Sequence, residues 1–321
     1  MVRFLTLGVV VCIVSMSGCG KKDVLEEPTP AIQLQLNWIP DAQHGGFFAA
    51  VVDGYFAEEG LDVEIVPGGP GTAAIPKLAM GRCDFAIGNA DQVLLAREQG
   101  ADVVAVFAAM QDSPRCIMVH EKSGMTSLEQ LANVTLALGD GKAFAEYLKL
   151  KVPLENVRIV SYSGTVAKFL LDEGFAQQGY VFSEPILAAQ EGGDPKSLMV
   201  SELGFNPYSS LVIANQETVS NDPELVRKFV SAVRKGWQSY LQDPSAANEA
   251  IVKLNSEMDA NVLAKSAAAI RPLCGDSSSL GAMRAERWEL LRTQLVELGL
   301  LPVTSKSSAG AFSESFVAIP E

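Results

Sequence analysis

Apolar residues near the start of the chain recur at two different spacings, and each spacing predicts its own kind of element. Apolar and polar residues alternate over residues 34–38 and 61–66, which indicates strands, whereas those in residues 46–59 recur at helical spacing. A glycine-rich turn follows the second strand. The pattern therefore predicts a strand, a helix and a second strand, which together make one βαβ unit.

The same alternation continues to the end of the chain. Further strands are predicted over residues 84–88, 103–110, 115–120, 135–138, 156–162, 179–182 and 210–214. Further helices are predicted over residues 73–80, 92–99, 126–132, 143–150, 165–173, 186–191, 225–241, 244–254, 261–269 and 281–298. The strand at 103–110 is apolar on both faces, as a sheet with helices on either side requires. The fold class is therefore α/β.

Two runs in the first unit resemble a known family. LNWIPDAQHGGFFAA (residues 36–50) and GYFAEEGLDVEIVPGGPGT (residues 54–72) are similar to the start of solute-binding proteins of ABC importers. The branch includes nitrate, taurine and alkanesulfonate binders and relatives of the synthases of the thiamine pyrimidine precursor. The resemblance implies the fold of a type II periplasmic binding protein, with two Rossmann-like lobes joined by a two-strand hinge.

The resemblance also suggests where the lobes divide. Pro114 biases the chain toward an extended crossover, so residues 115–120 are predicted to carry it out of the first lobe and residues 210–214 to bring it back. We expect lobe 1 to comprise residues 32–114 and 214–321. Lobe 2 is then residues 115–213.

The N-terminal residues predict export and a lipid anchor. Residues 1–18 carry a short apolar run, which suits a signal peptide better than a membrane span. The sequence before Cys19 resembles a lipoprotein cleavage box, and residues 19–31 have the composition of a tether. Two or more acyl chains would hold the mature protein on a membrane, in the periplasm or at the cell surface. The alternative is a plain secretory signal with an incidental cysteine.

Composition excludes several functions. The net charge of −13 argues against binding nucleic acid, which proteins hold mainly by neutralising phosphates. Beyond the N-terminal residues the cysteines are Cys83, Cys116 and Cys274; their spacing predicts no zinc cluster, and a disulfide between two of them stays open. His44 and His120 are the only histidines, and no nucleophile motif accompanies them. We therefore expect no metal, no cofactor and no enzymatic activity.

Polar and aromatic residues at strand ends are the candidate ligand contacts, because ligands of open α/β sheets bind beyond the carboxyl ends of the strands. Trp38 could stack on a planar ring or be a core residue. Asn89 and Asp91 could contact ligand or cap a helix. Glu184, just before Pro185, matches a cleft position of the resembled family, or it is a solvated helix cap. The complete set is Trp38, Asp41, His44, Asn89, Asp91 and Glu184.

Binding of a small molecule fits these residues best. Acidic and amide side chains favour a neutral or amino-bearing ligand, and the resemblance implies a heterocycle such as a thiamine pyrimidine precursor. It also implies lobe closure on the ligand, delivery to an ABC permease with its ATPase, and a monomer. Three alternatives remain: a binder of a sulfonate, taurine or nitrate-like anion, which Arg115 would suit; a pyrimidine-precursor enzyme on the same fold; and a receptor that serves a sensor.

Overall fold

The computed structural model describes residues 31–317. The predicted signal peptide, Cys19 and the tether up to residue 30 lie outside the described residues, as do residues 318–321. Within the described range no helix combines the length and apolarity that crossing a membrane requires.

The strands of residues 31–317 form two five-stranded sheets. In chain order they are β1 (Ile32–Gln35), β2 (Val63–Val66), β3 (Phe85–Gly88), β4 (Val103–Met110), β5 (Arg115–His120), β6 (Thr135–Leu138), β7 (Arg158–Ser161), β8 (Phe175–Tyr180), β9 (Pro195–Met199) and β10 (Ser209–Asn215). This is the two-lobed α/β architecture that the sequence predicts.

The first sheet has the order β2-β1-β3-β10-β4. β1 is parallel to β2 and β3, with Leu34 opposite Ile65 and Phe85. β10 is antiparallel to both β3 and β4. The start of β10 therefore lies at the same edge as the carboxyl ends of the other four strands.

The second sheet repeats this plan in the order β7-β6-β8-β5-β9. β6 is parallel to β7 and β8, whereas β5 is antiparallel to β8 and β9. The start of β5, at Arg115, thus lies beside the carboxyl end of β8, at Tyr180. In each lobe one antiparallel strand begins where the parallel strands end.

Helices cover the sheets. In chain order they are α1 (Gly45–Val52), α2 (Tyr55–Glu58), α3 (Ala74–Ala79), α4 (Ala90–Glu98), α5 (Ala143–Lys151), α6 (Ala167–Leu171), α7 (Glu184–Gln190), α8 (Gln216–Asn221), α9 (Pro223–Gln242), α10 (Ser245–Leu254), α11 (Ala260–Ile270) and α12 (Ala285–Glu297). Short 3₁₀ helices lie at Ala42–His44, Glu121–Ser123, Leu128–Gln130, Val200–Leu203 and Arg271–Cys274.

The core of the first lobe depends on close packing of α1 against α9. Trp237 of α9 is fully buried and meets Phe47 of α1 edge to face, with ring centroids 5.5 Å apart. A β-carbon on Gly236 would lie 2.3 Å from the carbonyl oxygen of Gly46, and one on Gly46 would lie 2.2 Å from the Trp237 ring, so the helices approach this closely only because both residues are glycine. Trp288, on α12, is also buried, as its place in the pattern suggests.

Two crossing segments join the lobes, residues 111–114 and residues 204–208. The Asn206 side chain ties them together: its Oδ1 accepts from the Ser113 N–H, and its Nδ2 donates to Asp112 Oδ1, both at 2.7 Å. After the second crossing, β10 belongs wholly to the first sheet. Residues 209–213, which the sequence pattern assigned to lobe 2, therefore pair with lobe 1.

Other boundaries differ for identifiable reasons. The helix predicted over residues 46–59 is two helices, because Gly54 adopts φ +80° between α1 and α2. β8 begins at Phe175, well before residue 179; the buried Gln177 and Gln178 obscure its apolar pattern. β9 is not predicted at all. It is an edge strand that begins with Pro195, a position where proline removes no needed ladder bond.

Candidate functional site

The candidate site is built on the strand ends of both sheets. The first crossing segment leaves the first sheet at the end of β4, and the second enters it at the start of β10. The carboxyl ends of β1 and β3 lie at this same edge of the sheet. In the second sheet the corresponding edge carries the ends of β6 and β8 and the start of β5. Residues at these two edges are the ones that a ligand between the lobes would contact.

Trp38 follows β1 and is 41% exposed. Its carbonyl oxygen accepts a 3.1 Å hydrogen bond from the Gly68 N–H, which joins its loop to the turn after β2. A β-carbon on Gly68 would lie 2.7 Å from the Trp38 nitrogen, so glycine is needed for this approach. Trp38 is thus an accessible aromatic side chain on a restrained loop, and the alternative of a core tryptophan does not describe it.

Asp41 and His44 are buried and bonded within their own loop. Asp41 caps the 3₁₀ helix Ala42–His44: its carboxylate accepts from the Gln43 backbone and side-chain N–H groups at 3.0 Å each. His44 is 0% exposed. Its Nδ1 accepts from the Asp41 N–H at 3.4 Å, and its Nε2 lies 3.0 Å from Asn37 Oδ1, which fits a proton on Nε2. These bonds shape the loop that carries Trp38.

Asn89 connects three parts of the molecule just after β3. Its backbone N–H donates to Gln92 Oε1 at 3.0 Å, and its Oδ1 accepts from the Ser210 N–H at 3.3 Å. Its Nδ2 donates to the Tyr180 hydroxyl at 3.2 Å. Because Tyr180 ends β8, this bond joins the strand ends of the two lobes directly.

Asp91 is half-buried in the first turn of α4 and faces positive charge from the second lobe. Burial raises the pKa of its carboxyl, while the Gln92 N–H and the charges of Arg115 and Lys142 act in the opposite direction. Arg115 begins β5 and Lys142 precedes α5. The predicted contact of the first lobe is therefore attracted to two cations of the second lobe.

Glu184 is the first residue of α7, and both of its carboxylate oxygens are hydrogen-bonded. Oε1 accepts from the Tyr162 hydroxyl at 2.6 Å, and Oε2 accepts from the Tyr180 N–H at 2.7 Å. Burial, followed by the adjacent Glu184 charge, raises the pKa of Tyr162, which stays protonated as the donor. Glu184 thus fixes Tyr162 and the end of β8 beside the crossing to the first lobe.

Sequence reasoning missed the aromatic side chains of the second lobe. Phe144, Tyr162 and Tyr180 all lie at or near its strand ends, and Arg115 was noted only as a residue that would suit an anion. Tyr180 closes a strand, which is the signal that could have identified it. Phe144 lies in the first turn of α5 just after a glycine turn and looked like an ordinary core position.

His120 and three cysteines of residues 31–317 lie apart from the predicted ligand contacts in the sequence and are buried. His120 is buried, stacks on Phe169 and lies 2.5 Å from Asp194 Oδ1 through its Nδ1. Cys83, Cys116 and Cys274 are buried and unpaired. Within residues 31–317, no three His, Cys, Asp or Glu side chains are grouped as a metal ion would need.

Two surface depressions lie elsewhere. One of about 370 Å³ is on the second lobe and includes Arg158, Lys168 and Leu171 in its lining. The other, of about 250 Å³, is lined by residues of the second crossing segment and of α12, including Asn206 and Arg287. Neither includes any of the predicted ligand contacts.

Several relatives align with most of this chain at about a quarter sequence identity. The formylaminopyrimidine-binding protein of Halalkalibacterium halodurans is 25% identical, over 90% of this chain and 92% of that protein. The riboflavin-binding protein RibY of Chloroflexus aurantiacus is 24% identical over 76% of each chain. The 4-amino-5-hydroxymethyl-2-methylpyrimidine phosphate synthase THI11 of Saccharomyces cerevisiae is 27% identical, over 68% of this chain and 69% of that protein.

The fold is that of periplasmic binding proteins. The aliphatic sulphonate binding protein SsuA of Escherichia coli superposes with a TM-score of 0.69, covering 91% of this chain and 96% of that one at 15% identity. An identity this low supports a shared fold and nothing more specific. The NMT1/THI5-like model matches residues 41–247, more than half of the sequence, and the chain therefore belongs to the NMT1/THI5-like family.

Proposed function

We propose that this protein is the lipid-anchored solute-binding component of an ABC importer. It captures a small planar heterocycle, such as a thiamine pyrimidine precursor, by closure of its two lobes and releases the ligand unchanged to a permease and its ATPase. It works as a monomer, needs no cofactor and performs no reaction.

The observation that carries the proposal is the meeting of the two lobes at their strand ends. Asn89 donates directly to the Tyr180 hydroxyl across the gap, and Asp91 faces Arg115 and Lys142. Ligand bound beside these groups would contact both lobes and favour the closed arrangement over the open one. The crossing segments supply a natural place for bending because they are the two backbone links between the sheets.

The chemical character of the site supports a flat ligand. Trp38 offers an accessible aromatic face, while Asn89 and the charged groups can hydrogen-bond ring nitrogens and exocyclic groups. The relatives named for binding formylaminopyrimidine and riboflavin both take nitrogen heterocycles. Of the predicted contacts, Asp41, His44 and Glu184 would act mainly by holding loops and side chains in place.

Titration calorimetry with the purified protein tests this directly. The panel contains aminopyrimidines including formylaminopyrimidine, riboflavin, and ring-free anions such as taurine and nitrate. We expect a heterocycle to bind and the ring-free anions to be inert; the reverse result would favour the anion-binding alternative instead. Turnover of a bound pyrimidine by the purified protein would favour the enzyme alternative, which the similarity to the yeast synthases motivates.

Trp38 provides the matched variant. Stacking contributes about 0.5–1.5 kcal/mol beyond burial, so Trp38→Ala should weaken heterocycle binding at least about 2- to 13-fold, and the lost burial adds to this. Leu171→Ala is the control, since Leu171 is 88% exposed on the second lobe and outside the site. If Trp38→Ala and Leu171→Ala bound the heterocycle with equal affinity, Trp38 would not be a ligand contact.

The lipid anchor needs a separate experiment. Cys19→Ala should abolish acylation at this position and move the protein from the membrane fraction to the soluble fraction of the cells that export it. Intact-protein mass spectrometry measures the acyl mass. If the wild-type protein lacked the acyl mass, the lipid anchor would be refuted and the plain secretory signal would be the remaining alternative.

A further inference from the structure

Arg115 lies between two aromatic rings of the second lobe. Its guanidinium carbon is 4.1 Å from the centroid of the Tyr180 ring and 4.3 Å from that of the Phe144 ring. Contacts of this kind are cation–π interactions, and they hold the guanidinium against both rings. The N–H groups of a guanidinium lie in its plane and point outward from its edges, so ring contacts leave them available.

The side-chain N–H groups of Arg115 have no protein acceptor within residues 31–317. Only its backbone N–H is bonded, donating to Ser113 Oγ at 3.4 Å. The other half-buried arginines of residues 31–317 all donate to a protein acceptor. Arg97 donates to three carbonyl oxygens, Arg287 and Arg234 each donate to one, and Arg292 donates to a carboxylate. A half-buried guanidinium that is held by two rings and has no protein acceptor is preorganised to donate hydrogen bonds to a ligand.

The position of Arg115 places these donors at the proposed ligand site. Because β5 is antiparallel to β8, Arg115 pairs with Tyr180 at the edge that faces the other lobe. Lys142 and Asp91 are its charged neighbours across this region, and Asp91 is not within 4 Å of it as an ion pair. Glu184 is a second carboxylate nearby, but both of its oxygens already accept other hydrogen bonds, so neither carboxylate is bonded to the open N–H groups.

We infer that Arg115 is a specificity-determining residue that binds an anionic oxygen group, a carboxylate or a phosphate, carried by the planar ligand. This inference rests on the proposed function and deepens it, because it assigns the ligand to the class of acidic heterocycles. The guanidinium binds the two oxygens of that group in its own plane, and Lys142 adds charge from the neighbouring turn. Trp38 then stacks on the ring of the ligand.

Matched ligand pairs test the inference. Each pair shares a ring and differs in the acidic group: uracil and orotate for a carboxylate, riboflavin and flavin mononucleotide for a phosphate. In calorimetry with the wild-type protein, the acidic member of at least one pair should bind on the order of tenfold more tightly than the neutral member, or tighter still. This is the gain expected from one charge-assisted hydrogen bond. Which pair responds distinguishes carboxylate from phosphate.

Arg115 variants separate this residue from the site as a whole. Arg115→Ala should remove the preference within the pair while retaining binding of the neutral member, and Arg115→Lys should keep only part of it, because an ammonium cannot bind two oxygens in one plane. The control is Arg82→Ala, an exposed arginine outside the site. Circular dichroism checks folding, and Arg115→Lys carries the test should Arg115→Ala fail to fold.

The outcomes are distinct. Neutral members that bind as tightly as acidic ones in the wild type overturn the inference and leave the proposed function standing. A preference that survives in both Arg115 variants assigns the anion to another residue and also overturns it. If no heterocycle of either kind binds, the inference fails together with the proposed function.

Discussion

The contact between Glu184 and Tyr162 can be tested by removing one hydrogen bond at a time. Glu184 accepts from the Tyr162 hydroxyl at 2.6 Å and from the Tyr180 N–H at 2.7 Å, so each carboxylate oxygen has one donor. Tyr162→Phe removes the first bond and leaves the second. Glu184→Gln keeps the shape but removes the charge, and the Tyr162 hydroxyl can rotate to accept from the new amide.

The expected costs follow from the number and type of bonds. A hydrogen bond to a charged group contributes about 1.5–3 kcal/mol to the free energy of unfolding. Both side chains are half-buried, so we expect each of these bonds to contribute about 2 kcal/mol and Tyr162→Phe to cost that amount. Glu184→Gln retains two neutral bonds of about 1 kcal/mol each and should cost a similar amount. The double variant should cost less than the sum, because the two residues share one bond.

Urea unfolding measured for the wild type, both single variants and the double variant gives the coupling energy. Tyr55→Phe is the control, since no residue in the described part of the chain hydrogen-bonds the Tyr55 hydroxyl; it should change stability by less than about 0.5 kcal/mol. Costs that add within about 0.5 kcal/mol would refute the reasoning. Glu184 would then not depend on Tyr162 for its position.

Three further predictions concern packing, pH and thiol chemistry. Gly236→Ala should lower the unfolding free energy by about 1–3 kcal/mol in urea titrations, because its β-carbon would lie 2.3 Å from a backbone oxygen of α1; an unchanged midpoint would contradict this packing. Hydrogen bonds from Ser278 and Ser279 lower the pKa of Asp276 from 3.8 to about 2, so its contribution to stability is present above pH 3.8 and is lost as pH falls through about 2. Asp276→Asn should therefore be less stable than the wild type at pH 6, with a gap that narrows steadily as pH falls from about 4 to below about 2; a gap that stays constant over this range would exclude this cause. Burial raises the pKa of Cys116 and Cys274 to about 12, so both should resist iodoacetamide at pH 8 until urea unfolds the chain, as peptide mass spectrometry would show; rapid labelling of the folded protein would mean that these thiols are accessible.

The local pattern of apolar and polar residues was enough to predict most of the helices and strands. The strands at Val103–Met110, Arg115–His120 and Thr135–Leu138 begin and end where the pattern predicts, because continuous apolar runs are bounded there by turn residues. The family resemblance lies in two neighbouring runs near the start of the chain, residues 36–50 and 54–72. These features depend on neighbours in sequence, which is why no structure was needed to predict them.

Partners distant in sequence decided the rest. The pattern could not place β10 in the first sheet, since that depends on its pairing with β3 and β4. It also could not show that His44 is enclosed by its own loop, or that Glu184 is bonded to Tyr162.

The same limit applies to Arg115. Its residue type indicated only a possible anion ligand; the two rings that hold it come from β8 and α5 and meet it only in the folded sheet. The sequence by itself therefore determined which elements form and which strand ends carry polar residues. Tertiary structure decided which of those side chains remain free to bind, because a hydrogen-bonding group satisfied by a distant partner has less to offer a ligand.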